Sequence, residues 1–434
     1  MNNNDTIFAL SSGHGKAGVA VIRISGDNLH DIFSNFIHKA DFQPRHAYFC
    51  SLMDHNGDLI DQCLAIYFPA PYSFTGQDVI ELHTHGAPAV INAVFEFLKT
   101  FGMRMAEPGE FSRRAFYNNK MDLADVDGLA ALLDAQTDKQ RQHALKSMLG
   151  HDSEIYNTWR KSMVDICAYA AATMDYSPDD LPASINEILY NRTQDLYTQI
   201  DASLQRYNTS RAIHGGINIV LAGETNVGKS SIFNYIVGSN RAIVSDIAGT
   251  TRDVVSSNLD IDGYLINLSD TAGLRETDDT IENIGIERTH NEIKNADIVI
   301  HVFTPDQEIK NIIEHENCIV IVNKSDTTSE HTCPDVIYTS TKTGDGMSNL
   351  MTAIKNKIHS IMDTCENTVI VNARTKSLLE IARQELSNAL ANTDSYDIFA
   401  EHVRYAADAI GKILGTITAN EVLDATFGQL CLGK

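Results

Sequence analysis

The spacing of hydrophobic and polar positions changes character three times along the 434 residues. From residue 5 to 118, short apolar runs are separated by turn residues. Thr6–Leu10, Gly18–Ile24, Ala47–Leu52, Gln62–Phe68 and Asp78–His83 read as strands, with turn chemistry at Asn56-Gly57. Leu29–Ile37, Pro88–Leu98 and the stretch after Gly109 read as helices. From about Lys120 the period becomes helical, with Met121, Leu123, Val126, Leu129, Leu132 and Leu133 on recurring turns. Helical texture continues over Ser147–Met174 and Ile185–Arg211. After His214-Gly215-Gly216, brief apolar runs (Ile217–Ala222, Leu265–Ser269, Cys318–Val322, Val336–Thr339) alternate with helical stretches, the pattern of a mostly parallel sheet. Beyond Glu366 the chain turns helical again, through Lys376–Ala391 and Asp397–Leu414.

These textures predict a multidomain α/β protein. A small α+β domain occupies 1–118. A helical-bundle domain is assembled from 119–214 and 363–434, because long apolar helical faces on both sides need one another for burial. An α/β domain, 215–362, is inserted between its halves.

The chemistry concentrates in the insert. Gly223-Glu224-Thr225-Asn226-Val227-Gly228-Lys229-Ser230 fits G-x-x-x-x-G-K-[ST] at every fixed position, after a strand and before a helix through Ser231–Val237. Backbone N–H groups from Asn226 to Ser231 would cradle phosphate oxygens, Lys229 would reach the β and γ phosphates, and Ser230 would offer its hydroxyl to Mg²⁺. Asp270-Thr271-Ala272-Gly273 ends the next run: the Asp can hold Mg²⁺ through water, and Gly273 can present its N–H to the γ phosphate. Asn323-Lys324-Ser325-Asp326 follows the third. Asp326 could accept the N1–H and 2-amino hydrogens of guanine, a donor pair that adenine lacks, so GTP is expected over ATP. Ser340-Thr341-Lys342 follows the fourth run, and its backbone could contact the guanine oxygen.

Gly249-Thr250-Thr251-Arg252-Asp253 is placed as a switch, with Thr251 supplying a second hydroxyl to Mg²⁺. Leu274 stands where a water-positioning glutamine often sits, and leucine cannot polarise water. Glu282 and Glu287 are candidates for that work. Charge on the leaving group could be met by Arg252, Arg275 or Arg288, or by a monovalent cation held through Asn226.

Composition narrows the rest. A hydrophobic content of 43% with 21% charged residues suits a folded chain. No apolar run reaches membrane-spanning length and Met1–Asp5 lacks a signal-like core, so a cytoplasmic location without membrane association is expected. The seven cysteines form no C-x-x-C, which favours a reducing compartment. The net charge of −23 opposes a polyanionic partner, so any RNA needs a local basic patch or a second protein. Composition alone makes Arg23, Glu81, Arg113, Arg114 and Lys120 solvated surface groups. His83 and His85 share a strand face but lack a third ligand, and Cys431 reads as a buried or incidental thiol before a reactive one.

Several stretches resemble one family. Gly18–Gly26, Phe74–Leu82, Pro108–Phe116, Asp246–Asp253, Asp270–Arg275 and the terminal Cys431-Leu432-Gly433-Lys434 are similar to the MnmE (TrmE) family of bacterial tRNA uridine-modifying GTPases over essentially the whole chain. The resemblance implies a folate-binding N-terminal domain that forms a homodimer, a helical domain and an inserted P-loop GTPase domain. It implies contacts from Arg23, Glu81, Lys120 and Lys434 to 5-formyltetrahydrofolate; cationic groups suit folate carboxylates, and a carboxylate suits the donor-rich pterin edge. It implies that K⁺, bound by Asn226 and the loop residues Ser245, Ile247 and Thr250, replaces an arginine finger, with Asp246, Ala248 and Gly249 in the same nucleotide-facing loop. Glu282 then positions the attacking water. The family works with the FAD- and NADH-using partner MnmG on the wobble uridine of tRNA, using a one-carbon unit from methylenetetrahydrofolate or a related carrier and an amine from glycine or ammonium. Cys431 matches a cysteine needed for modification. Two departures stand out: Thr225 replaces the usual Pro, and His301–Asn317 is too short for the usual connection before the Asn-Lys strand. The competing reading is a regulatory GTP-binding switch in ribosome assembly.

Overall fold

The computed structural model describes residues 5–175, 185–243, 255–270, 291–327, 333, 336–362, 369 and 371–416. They divide between two compact units, one drawn from Met1–Ala130, Ser147–Ala168 and Val403–Lys434, the other from Ala131–Lys146 and Tyr169–His402. No helix among the described residues is long and apolar enough to cross a membrane.

The first unit is built on strands β1 (Ile7–Leu10), β2 (Ala17–Gly26), β3 (Tyr48–Met53), β4 (Leu59–Phe68), β5 (Asp78–Gly86) and β6 (Arg104–Met105), ordered β3-β4-β5-β2-β1-β6. All neighbours are antiparallel except β1 and β6. Period-two alternation sends Ile22, Ile24, Ile80 and Leu82 to one face, where α1 (His30–Ile37) and α2 (Pro88–Lys99) cover them with Phe33, Phe36, Val94 and Leu98. The same alternation turns Arg23, Glu81 and His83 to the opposite face. There α3 (Glu110–Tyr117) inserts Phe111 against Ile7, Ala9 and Ala106. Arg104 grips the Glu110 carboxylate at 2.6 Å, and Arg114 reaches it from the next turn at 3.0 Å. Burial works against the charged form of Glu110, yet the hydrogen bonds from Arg104, the Glu107 N–H and Arg114 hold its pKa below the ordinary value.

The helical texture resolves into α4 (Leu123–Asp134), α5 (Asp138–Met148) and α6 (His151–Asp175). The helix expected over Ser147–Met174 is α6, which starts four residues later because Gly150, at φ 95°, separates it from the end of α5. Gly128 in α4 allows close approach of the α5 end: a Cβ there would lie 2.5 Å from the Met148 nitrogen.

In the second unit, α7 (Ile185–Gln205) and α8 (Tyr207–Gly215) replace the single helix expected over Ile185–Arg211. Strands β7 (Ile217–Ala222), β8 (Arg241–Ala242), β9 (Val255–Ile261), β10 (Tyr264–Asp270), β11 (Ile298–Phe303), β12 (Cys318–Val322) and β13 (Ile337–Tyr338) form a sheet ordered β13-β12-β11-β7-β10-β9-β8. The five strands from β13 to β10 are parallel, and β9 and β8 continue antiparallel. The β9–β10 turn is Asp262-Gly263, both at positive φ, the dipeptide a tight hairpin prefers. Helices α9 (Lys229–Ser239) and α10 (Met347–Met362) bury Ile232, Ile236, Leu350 and Ile354 against Ile219, Leu221, Ile266 and Ile300. The β11–β12 connection, residues 304–317, contains no helix. Instead Ile313 packs on the small apolar cluster of Val220, Ala222, Ala296 and Val299. Helix α11 (Ala373–Ala391) lies along α7, where Arg383 pairs with Asp201 at 2.9 Å; α12 (Tyr396–Leu414) follows.

Ile354 is fully buried at the centre of the α10 face. Ile354→Ala is expected to destabilise the second unit by about 2–5 kcal/mol, read as a lowered denaturant midpoint of the full chain. An unchanged midpoint would show that α10 is not part of that unit's core.

Candidate functional site

Between β7 and α9, the phosphate-loop segment runs in close contact with the ends of β11 and β12. Gly223, at φ 142°, passes so near β11 that a Cβ would sit 2.4 Å from the Val302 oxygen. Asn226 takes φ 64° and Gly228 φ 97°, which turns successive backbone groups toward the loop interior. Gly228 then caps the N-terminus of α9. A Cβ on Gly228 would meet Asn323 Nδ2 at 2.2 Å. That absence of a side chain lets Asn323 donate from Nδ2 to the Val227 carbonyl at 2.9 Å, while Lys324 donates to the Asn226 carbonyl at 2.6 Å.

The buried Lys229 donates to the carbonyls of Gly223 at 2.9 Å and Glu224 at 2.7 Å, so its ammonium lies across the loop. Ser230 donates from Oγ to Asp270 Oδ2 at 2.8 Å, joining the start of α9 to the end of β10. Exposed Asp326 accepts from Ser340 Oγ at 2.8 Å, and Ser325 N–H donates to the Thr339 carbonyl at 3.0 Å. Asn323 Oδ1 and Thr339 Oγ1 are buried without hydrogen-bond partners among the described residues, an incomplete polar corner between the loop and the end of β12. Ser231 follows on the first turn of α9, and Thr341 and Lys342 follow Ser340 in the loop before α10. A helix N-terminus, a lysine across a glycine-bounded loop and a hydroxyl–carboxylate pair fit a polyphosphate and its divalent ion. The expected residues Ser245, Asp246, Ile247, Ala248, Gly249, Thr250, Thr251, Thr271, Ala272, Gly273, Glu282, Cys431 and Lys434 lie outside the described residues.

A second constellation occupies the α3 face of the first unit. Arg23 and Glu81 are cross-strand partners on β2 and β5. Arg23 donates from Nε at 3.0 Å and Nη2 at 2.9 Å, both to Glu81 Oε1. Its guanidinium carbon lies 5.2 Å from the Phe74 ring centre and 5.9 Å from that of Phe111. With side chains only 19% and 18% exposed, the pair corrects the composition-based reading of solvated surface groups, as does Arg114, buried against Glu110. Lys120 does stay exposed, its Nζ 6.0 Å from the Tyr72 ring centre. Sequence reasoning missed Phe74 and Phe111 as the rings that flank the arginine; no local spacing signals a contact between a strand, a loop and a helix. The two histidines diverge in role: His85 Nδ1 bonds Asp61 Oδ1 at 2.7 Å, whereas His83 Nε2 stands 3.6 Å from Glu81 Oε2. No metal-holding group of His, Cys, Asp and Glu occurs among the described residues.

Comparison with known proteins decides the family. The model of the GTP-binding protein TrmE N-terminus matches residues 6–120, and that of the MnmE helical domain matches 123–431. The chain belongs to the MnmE (TrmE) family. A tRNA modification GTPase MnmE of Wolbachia sp. subsp. Brugia malayi is 38% identical over 445 residues, covering 100% of both chains. The MnmE of Rhizobium meliloti is 37% identical over 444 residues, again covering 100% of both. Among solved structures, the G domain of the T. maritima FeoB iron transporter is 23% identical, covering 33% of this chain and 98% of its own, at a TM-score of 0.26. Within the MnmE matches, Arg23, Glu81 and Lys120 fall in the TrmE N-terminal span, and the phosphate loop and Asn323–Asp326 fall in the span of the helical-domain model.

Gly228→Ala places a methyl where Asn323 now sits and forces alanine to positive φ, a strain of ~1–3 kcal/mol. A fluorescent GTP analogue should bind the variant at least about tenfold more weakly, with far-UV circular dichroism unchanged. Unaltered affinity would separate the Gly228–Asn323 contact from nucleotide binding.

Proposed function

We propose that this chain hydrolyses GTP and, through that hydrolysis, serves the modification of tRNA at C5 of the wobble uridine. The observation that carries the reading is the clasp between the loop Gly223–Ser230 and the end of β12, formed by Asn323 on Val227 and Lys324 on Asn226. It joins a phosphate-binding element to a carboxylate, Asp326, suited to the N1–H and 2-amino donors of guanine. The family membership supplies the tRNA substrate, since the relatives carry the name tRNA modification GTPase.

In this reading the N-terminal domain is 1–118, the helical domain 119–214 with 363–434, and the GTPase domain 215–362. The N–H groups at the start of α9 hold the β and γ phosphates, and Lys229 shifts its ammonium from the Gly223 and Glu224 carbonyls to phosphate oxygens. Ser230, Asp270 and Thr251 hold Mg²⁺. Asn226, Ser245, Ile247 and Thr250 hold K⁺. These cations supply compensation for charge developing on the phosphates. Glu282 orients the attacking water, which leaves Leu274 outside the chemistry. Arg23, Glu81, Lys120 and Lys434 hold a tetrahydrofolate that delivers the one-carbon unit. Two chains form the dimer, MnmG supplies the flavin chemistry, and Cys431 serves the modification step.

Nucleosides from tRNA of cells lacking this chain should show wobble uridine without its C5 substituent. Unchanged modification would overturn the reading in favour of a GTP-binding switch in ribosome assembly. With purified protein, replacing K⁺ by Na⁺ should slow GTP hydrolysis by ~10–100-fold, the scale of losing an electrostatic element at the transition state. Equal rates in the two salts would remove the cation from the mechanism.

A further inference from the structure

On the α3 face of the first unit, the Glu81 carboxylate is asymmetric. Oε1 accepts from Arg23 twice, from Nε and Nη2. Oε2 lies 3.6 Å from His83 Nε2, beyond hydrogen-bond length. His83 Nε2 is itself a buried nitrogen with no hydrogen-bond partner among the described residues. Leaving such a group unmade costs stability, so its place beside a half-engaged carboxylate calls for a reason. The β-strand supplies the proximity: Glu81 and His83 are two apart on β5 and share the face away from α1 and α2. Val21 and Leu64 are the cross-strand neighbours of His83 on β2 and β4, and neither side chain can hydrogen-bond the imidazole.

We propose that His83 is a positioning residue for the folate carrier: its Nε2–H closes onto Glu81 Oε2 when a reduced pteridine binds, and fixes that oxygen toward the ligand's amino and ring N–H donors. The proposal rests on the folate reading given above. Arg23 clamps one oxygen from one side, and His83 steadies the other from along the strand. The carboxylate is then held by donors of fixed direction, and its remaining lone pair faces the donor-rich edge of the pteridine. Without His83, Glu81 would still carry charge but could swing about the single oxygen that Arg23 holds.

The test uses the full chain and 5-formyltetrahydrofolate, titrated calorimetrically. His83→Leu fills the space without a donor and should weaken binding about tenfold. His83→Gln keeps an N–H donor and should stay within about twofold of the unaltered protein. In a Glu81→Gln background the His83→Leu change should have no further effect, the sign that His83 acts through Glu81. GTP affinity should be the same in all variants, which reports that they are folded. Equal folate affinity in His83→Leu and the unaltered protein overturns the proposal, as does equal loss in His83→Leu and His83→Gln. An unaltered protein that binds no folate overturns the folate reading itself, and the role of His83 with it.

Discussion

The second unit depends on one close approach: Gly228 leaves room for the Asn323 carboxamide, which donates to the backbone of the loop it abuts. That contact ties the first strand–helix junction of the sheet to the end of β12, the fourth of its parallel strands in chain order. Lys324 repeats the tie one residue on, through Asn226. Loop curvature and the position of the segment that follows β12, with Asp326, are therefore not independent. A phosphate site held by Gly223–Ser230 alone would have an entropic cost of ordering at each binding event. With β12 docked on it, much of that ordering is already present in the fold.

Much of this was legible in the chain because the signals are local. A glycine-bounded loop between a strand and a helix is written in consecutive residues. β4 starts three residues before the expected Gln62, a start hidden in the sequence because Leu59–Asp61 are flanked by the polar Asp58 and interrupted by Asp61, which is nonetheless buried and bound by His85. The break at Gly150 has a glycine to mark it, whereas the break at Arg206 has neither Gly nor Pro, and helical spacing runs through it. The Arg23–Glu81 pair was invisible to composition because its partners are 58 residues apart and meet only through the β2–β5 register. Exposure is a property of the sheet face, and no charged residue announces which face it will occupy.

The connection 304–317 shows how a parallel sheet tolerates a shortened crossover. A helix in this place would cover Val220, Ala222 and Val299; without one, that apolar surface needs another lid. Ile313 supplies part of it. His301, on β11, takes a hydrogen bond from the Ile313 N–H at 3.3 Å and is pushed by burial below the ordinary histidine pKa. A neutral imidazole can accept at Nδ1 where a charged one cannot, so burial of His301 and docking of Ile313 are mutually consistent. Gln307 adds a contact from the same connection to the phosphate loop, donating to Glu224 at 2.7 Å while accepting from the Thr304 N–H at 2.9 Å. The irregular segment is thus anchored at both the apolar face and the loop.

The N-terminal sheet separates stability from recognition by face. Its helix-covered side is dense with Phe8, Phe33, Phe36, Ile80 and Leu82. Its other side carries Arg23, Glu81 and His83 under Phe74 and Phe111. Rings above the arginine reduce its hydration, which strengthens its hold on Glu81 and at the same time makes an unmatched charge there costly. Such a pair is poor value as a structural staple, since well-packed apolar residues of the same volume would serve as well. Its place beside an imidazole nitrogen without a hydrogen-bond partner among the described residues is better explained by a ligand whose own donors complete the set, which is why the proposed carrier site belongs on this face and not among the helices opposite.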